Sequence, residues 1–279
     1  MGFVWMTVIM RSNFERFSQF ICIDSWKSKT NPNLFPYMSN VVLDKMNEVQ
    51  VCCEALIKEE MHNAYIFMLN SAFEMCPLLE RERVKCVYGD EFITQNILDS
   101  TQLKHAMLFH DHYHLNLNFE KKLDHNFSKL QPYLYGILHA KSEEVLKTTL
   151  NQMVKDFPSL TSVKTLAIEL ESKKQNFAAY VIDSTEGSYC RRGNPPSEAN
   201  HSSISRFLGS DFTGEIENVF VKLMDRHKHL TLRTNRIISI DFDKSQIALH
   251  KLKEQDPNLD LIAPCEFLTY SAFIFIKII

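Results

Sequence analysis

Asp24 closes the apolar run Phe20-Ile-Cys-Ile-Asp24, and Asp90 closes a second run, Val84-Lys-Cys-Val-Tyr-Gly-Asp90. Glu198 follows the Gly/Pro-rich stretch Gly193-Asn-Pro-Pro-Ser. Two carboxylates at the ends of buried strands and a third on a later helix can converge on one patch. Hard oxygen donors of this kind suit a pair of Mg²⁺ or Mn²⁺ ions about 3.5–4 Å apart, the arrangement for in-line phosphoryl displacement. The plainer reading makes each acid an ordinary strand-end or helix-start residue. Glu91 competes with Asp90, but strand neighbours face opposite sides, so only one of the two can serve. Glu59 and Glu60 are set aside because the helix they start is expected to lie away from the strand ends. Asp183 and Glu186 are the substitutes for Glu198.

A second cluster, His110-Asp-His-Tyr-His114, allows different chemistry. Extended, His110, His112 and His114 share one face and could bind Zn²⁺ or Fe²⁺, which would make a single-metal hydrolase. On a helix only His110 and His114 are neighbours. Structural hydrogen bonding is the competing role. Aromatics near the start (Phe3, Trp5, Phe14, Phe17, Phe20) read as core packing rather than a base-stacking platform.

Composition narrows the class. The chain has 279 residues, 45% hydrophobic and 23% charged, so it is globular, large enough for one domain with an insertion. With 7 glycines and 9 prolines it is poor in turn residues, which points to a helix-rich α/β mixture. Seven cysteines, odd in number and without a CxxC pair, argue for a reducing compartment and against a disulfide framework or zinc ribbon. Met1 to Met10 makes a poor signal peptide, and the apolar tail Phe267–Ile279 is too short to span a bilayer. The expectation is a protein without a membrane span that is not secreted. Net charge is −3, unfavourable for binding nucleic acid as a whole. Basic residues are nevertheless grouped at Lys27/Lys29, Arg81/Arg83/Lys85, Arg191/Arg192 and along 222–236, where Arg226 and Arg233 lie. The last stretch reads equally well as a solvated helix face.

The elements that must position the acids follow from periodicity. Phe20–Asp24 reads as a strand, and Tyr37–Leu43 with Val49–Ile57 as an antiparallel hairpin. Glu59–Met75 has helical spacing, Val84–Tyr88 is a fourth strand, Glu91–Ser100 is helical, and Ala106–Phe109 is a fifth strand. Leu115–Gln175 is helical, broken near Pro132 and Pro158. A loop-rich stretch, Ala178–Pro196, precedes helices over Ser197–Leu208 and Thr213–His229, then a strand Ile237–Phe242 and a helix Ser245–Lys253. Three antiparallel strands, helix, strand, helix, strand is the order of the ribonuclease H-like fold, a mixed five-stranded sheet. Glu198 joins it only if a helical insertion precedes the last catalytic helix. The segments are then 1–114, the first part of the core; 115–195, the insertion and loop; 196–234, the last catalytic helix and a basic helix; and 235–279, a C-terminal extension.

Over roughly Phe3 to Asn200 the chain resembles the Mutator-like element (MULE) transposases, relatives of plant far-red-response transcription factors. The resemblance rests on Gly2-Phe-Val-Trp-Met, Asp24-Ser-Trp-Lys-Ser-Lys-Thr30-Asn31, Ala55-Leu-Ile-Lys-Glu59-Glu60, Val-Tyr-Gly-Asp90 and Asn194-Pro-Pro-Ser-Glu198-Ala-Asn200. The family's Cys-x-x-His after the fifth strand is Asp111-His-Tyr-His114 here, with Asp111 in place of the cysteine. What the resemblance implies is a DDE-type transposase catalytic domain in the ribonuclease H-like superfamily. Asp24 would bridge two Mg²⁺ or Mn²⁺ ions, Asp90 would hold one and Glu198 the other, for cleavage and transfer of strands in double-stranded DNA. Lys27, Lys29, Arg191, Arg192, Arg226 and Arg233 would meet the phosphates. A homo-oligomer working in the nucleus, or else in the cytoplasm, is implied as well. The alternative is an inactive or domesticated derivative that binds DNA or protein without cutting. Asp24 stands close to the start, no zinc finger follows, and the ending is apolar, so the chain also reads as a gene fragment.

Overall fold

The apolar runs of the first half become strands, and the helical periodicities of the second half become helices. The structure is a computed structural model that describes residues 2–26, 36–44, 48–77, 79–185, 196–208, 218–227, 229 and 274–278. In chain order the elements are β1 (Gly2–Thr7), α1 (Val8–Phe17), β2 (Phe20–Trp26), β3 (Tyr37–Leu43), β4 (Val49–Ile57), α2 (His62–Met75), β5 (Cys86–Gly89), α3 (Gln95–Asp99) and β6 (Met107–His110). Then come α4 (His112–Leu123), α5 (Phe127–Leu138), α6 (Glu143–Asp156), α7 (Thr161–Phe177), α8 (Ala179–Asp183), α9 (Pro196–Leu208) and β7 (Ile274–Ile278). Contacts divide the chain into two compact units. One comprises Met1–Ser28, Phe35–Ser203 and Ile274–Ile279; the other comprises Lys29–Leu34 and Ile204–Phe273.

The first unit is built on a mixed sheet of seven described strands in the order β6-β5-β2-β3-β4-β1-β7. β2 pairs in parallel with β5, and β5 with β6, while the remaining pairs are antiparallel. Ile21, Cys22 and Ile23 are buried in succession on β2, so both of its faces are covered, as expected for a central strand with parallel neighbours. Trp5, Met10, Phe14, Met38 and Leu56 fill the core, and the Phe14 and Phe73 rings meet edge to face at 5.4 Å, joining α1 to α2. Thr7 starts α1 cleanly, its hydroxyl accepting from Met10 N at 3.2 Å.

Five strands were expected, and two more join them. β1 adds to the free edge of β4, and the apolar tail, expected to be an uncapped ending, adds to β1 from Phe3↔Ile278 to Thr7↔Ile274. The pairing satisfies backbone groups that an exposed edge would leave open. Pro132 does not break the helical stretch but sits inside α5, because a single proline removes only one ladder bond. The break expected near Pro158 is present at 157–160, between α6 and α7, and further breaks fall at 124–126 and 139–142. α5 packs on α6, α6 on α7, and α7 on β6. In the second unit a helical stretch covers 218–227 and buries Val219 and Leu223. The strand expected at Ile237–Phe242 and the helix at Ser245–Lys253 lie outside the described residues.

Candidate active site at the strand ends

β2, β5 and β6 run in the same direction, so their carboxyl ends meet at one edge of the sheet, where open α/β sheets take their ligands. The last β2–β5 pair is Cys22↔Tyr88 and the last β5–β6 pair is Gly89↔His110. Asp24 and Asp90 each lie two residues beyond the first of these pairs, on β2 and after β5, and Asp90 and Asp111 each follow the second directly. A backbone bond from Asp111 N to Gly89 O, at 2.9 Å, supports the second juxtaposition. Gly89 makes the close approach possible. A Cβ there would stand 2.3 Å from Ile93 Cδ1 and 3.3 Å from the Ile23 carbonyl oxygen.

Asp111 is both helix cap and ion-pair partner. Its carboxylate accepts from Tyr113 N at 3.1 Å and His114 N at 3.3 Å, and His114 Nδ1 lies 2.7 Å from its Oδ2. That bond raises the His114 imidazole to a pKa of about 9. Burial opposes the rise, and the charges of Asp24, Asp111 and Asp90 add to it. Asp24 and Asp90 therefore share one cationic neighbour. The Asp90 carboxyl is itself raised, first by burial, against a hydrogen bond from Phe92 N at 2.9 Å and with the Glu60 charge adding. Ser25 N donates to Asp24 Oδ1 at 2.8 Å.

Glu60 belongs beside this row, contrary to the expectation from the sequence. Its Oε1 accepts from the Ser25 hydroxyl and, at 2.8 Å, from Tyr65 OH. Burial and then the Glu60 charge push the Tyr65 hydroxyl above its ordinary range. The reason is strand direction. β3 reverses β2 and β4 reverses β3, so β4 ends at the same edge as β2 and delivers Glu60 three residues beyond Ile57. Glu91 turns elsewhere: its Oε2 accepts from Asn118 Nδ2 at 2.8 Å, and its Oε1 lies 3.5 Å from Lys173 Nζ.

The three histidines diverge. His110 Nε2 lies 3.2 Å from Ile93 O, His112 Nε2 lies 2.7 Å from Phe177 O, and His114 takes Asp111. Only His110 is on a strand, because Asp111 starts α4 and ends the extended geometry a shared face would need. Glu198 lies on α9, three residues before His201, and its side chain is outside the described residues. Asp183 ends α8, and Glu186 falls outside the described residues, as do Lys27, Lys29, Arg191, Arg192 and Arg233. Arg226, in the second unit, is buried.

His201 went unnoticed in the sequence. In the structure it stands over the sheet at Asp24 and Ser39, directly paired residues of β2 and β3. Among the described residues no group of three or more His, Cys, Asp or Glu side chains is spaced to hold a metal ion, and no helix is long and apolar enough to cross a membrane. Comparison with protein-family models gave no match, and comparison with curated proteins gave none either.

Proposed function

We propose that the chain is the catalytic core of a DDE-type transposase of the ribonuclease H-like superfamily, cutting and joining strands of double-stranded DNA. One observation carries the reading: Asp24, on β2 just past its last parallel pair with β5, and Asp90, directly after β5, lie on neighbouring parallel strands, and both carboxylates act on the His114 imidazole held by Asp111. The strand order β6-β5-β2-β3-β4, with a parallel half and an antiparallel half, supports the fold assignment. The donor type suits Mg²⁺ or Mn²⁺, since carboxylate oxygens are the ligands these ions prefer, but a complete set needs Glu198 beside the described acids, which by themselves form no three-ligand group. Asp24 and Asp90 would hold the ions with Glu198 completing the set. Bound cations would supply an activated oxygen nucleophile and offset charge on the scissile phosphate.

The chain's own residues do the rest. Ser25 N–H orients the Asp24 carboxylate and Phe92 N–H orients that of Asp90. Asp111 holds His114 in place, and the imidazolium offsets the negative row so that a phosphate can approach. With a net charge of −3, contact with the DNA backbone falls to local basic groups, Lys27, Lys29, Arg191, Arg192 and Arg233. Transposition of this kind would place a homo-oligomer in the nucleus.

A second reading, a domesticated derivative that binds without cutting, draws on a specific observation. The row is already partly compensated from within, by His114 beside Asp111. Nicking of supercoiled plasmid in Mn²⁺ separates the two. Wild type should nick, and Asp24→Asn and Asp90→Asn should fall to background. DNA binding without nicking in wild type selects the second reading, and nicking that survives Asp24→Asn overturns the first.

A further inference from the structure

His201 occupies a built position rather than a gap in the packing. Its side chain is 8% exposed, its Nδ1 lies 3.5 Å from Asp24 Oδ2, and its Nε2 lies 3.2 Å from Ser39 Oγ. The ring stacks on Trp26 at 5.8 Å with 16° between planes and meets Tyr37 edge-on at 5.6 Å. All four neighbours come from two consecutive register pairs of one face, Asp24↔Ser39 and Trp26↔Tyr37. The adjacent Asn200 donates to Tyr37 OH at 3.3 Å, and Tyr37 OH donates to the buried Glu54. In the tautomer with its proton on Nδ1, the ring offers an N–H toward the acceptor-only carboxylate while Nε2 accepts from the serine hydroxyl.

We infer that His201 is the positioning residue for Asp24: Ser39 and Trp26 hold its imidazole so that Nδ1 faces the Asp24 carboxylate, and the contact ties that carboxylate to α9, the helix that bears Glu198. This rests on the cation-dependent reading above and deepens it. The arrangement is of the kind in which a buried partner holds a metal-binding carboxylate in one rotamer, and losing such a partner costs about 10- to 100-fold in metal affinity. The competing role, a filler under the helix, would need only the volume and the stack.

The chain itself supplies a reporter. Its two tryptophans are Trp5, in the core, and Trp26, against His201. In a Trp5→Phe background, Mn²⁺ titration should quench Trp26 fluorescence saturably, and Asp24→Asn should abolish the response. His201→Phe keeps volume and stacking but loses the N–H, and should weaken apparent Mn²⁺ affinity about 10- to 100-fold with the circular dichroism spectrum unchanged. His201→Asn restores a donor near Nδ1 and should recover most of the affinity even though the stack is lost. Wild-type affinity in His201→Phe, or an affinity in His201→Asn no better than in His201→Phe, overturns the role of His201. Absence of any Asp24-dependent quenching in the parent overturns the cation reading itself, so the two failures are distinct.

Discussion

Raising the pH should remove a defined stability increment through one ion pair, Asp111–His114. The folded imidazole titrates near 9 against an ordinary value of 6.5, so folding holds its proton more tightly. Below pH 6.5 both folded and unfolded chains carry the charge, and the increment is complete. Between 6.5 and about 9 the unfolded chain gives up the proton first and stability declines, and above about 9 the increment is gone. The gap corresponds to roughly 3 kcal/mol at 1.36 kcal/mol per pH unit. His114 is 27% exposed on its side chain, so solvent screening reduces the expectation to about 1–2 kcal/mol. Asp111→Asn keeps a capping oxygen for α4 but removes the carboxylate whose hydrogen bond is the largest cause of the shift. Urea unfolding in EDTA, from pH 6 to pH 10, should give wild type a steeper loss of stability than Asp111→Asn, and the difference between the curves should close above about pH 9. Parallel curves across that range would refute the assignment of His114 as the cation of the acid row.

Two further substitutions probe how the site is held. Gly89→Val should destabilise by about 1–3 kcal/mol by overpacking against Ile93 and the Ile23 carbonyl, and Ile93→Ala should recover part of this in a double-mutant cycle, measured by thermal melts. An additive pair would show that the contact is not the cause. Tyr37→Phe removes the hydroxyl that donates to the wholly buried Glu54 and accepts from Asn200, and should cost about 1–3 kcal/mol in urea unfolding. An unchanged midpoint would mean that other groups already satisfy Glu54.

Local patterning was legible where one rule dominated. The hairpin Tyr37–Leu43 and Val49–Ile57 was readable to the residue, because both runs are apolar and a polar turn separates them. Asp24 and Asp90 stood out because an acid after an apolar run is unusual enough to be noticed. Asp111 was visible only as a departure from a motif, and its double duty as cap and partner of His114 needed α4 to begin where it does.

What the sequence determined by itself was a globular α/β chain and most of its strands and helices, with Asp24 and Asp90 singled out by the apolar runs they follow. Tertiary structure alone decided that β1 and β7 extend the sheet, that Glu60 joins the acid row while Glu91 leaves it, and that His201 covers Asp24. The physical reason is that periodicity reports which side of its own element a residue faces. Which edge of the sheet an element ends at depends on strand direction and pairing, which residues tens of positions apart settle together.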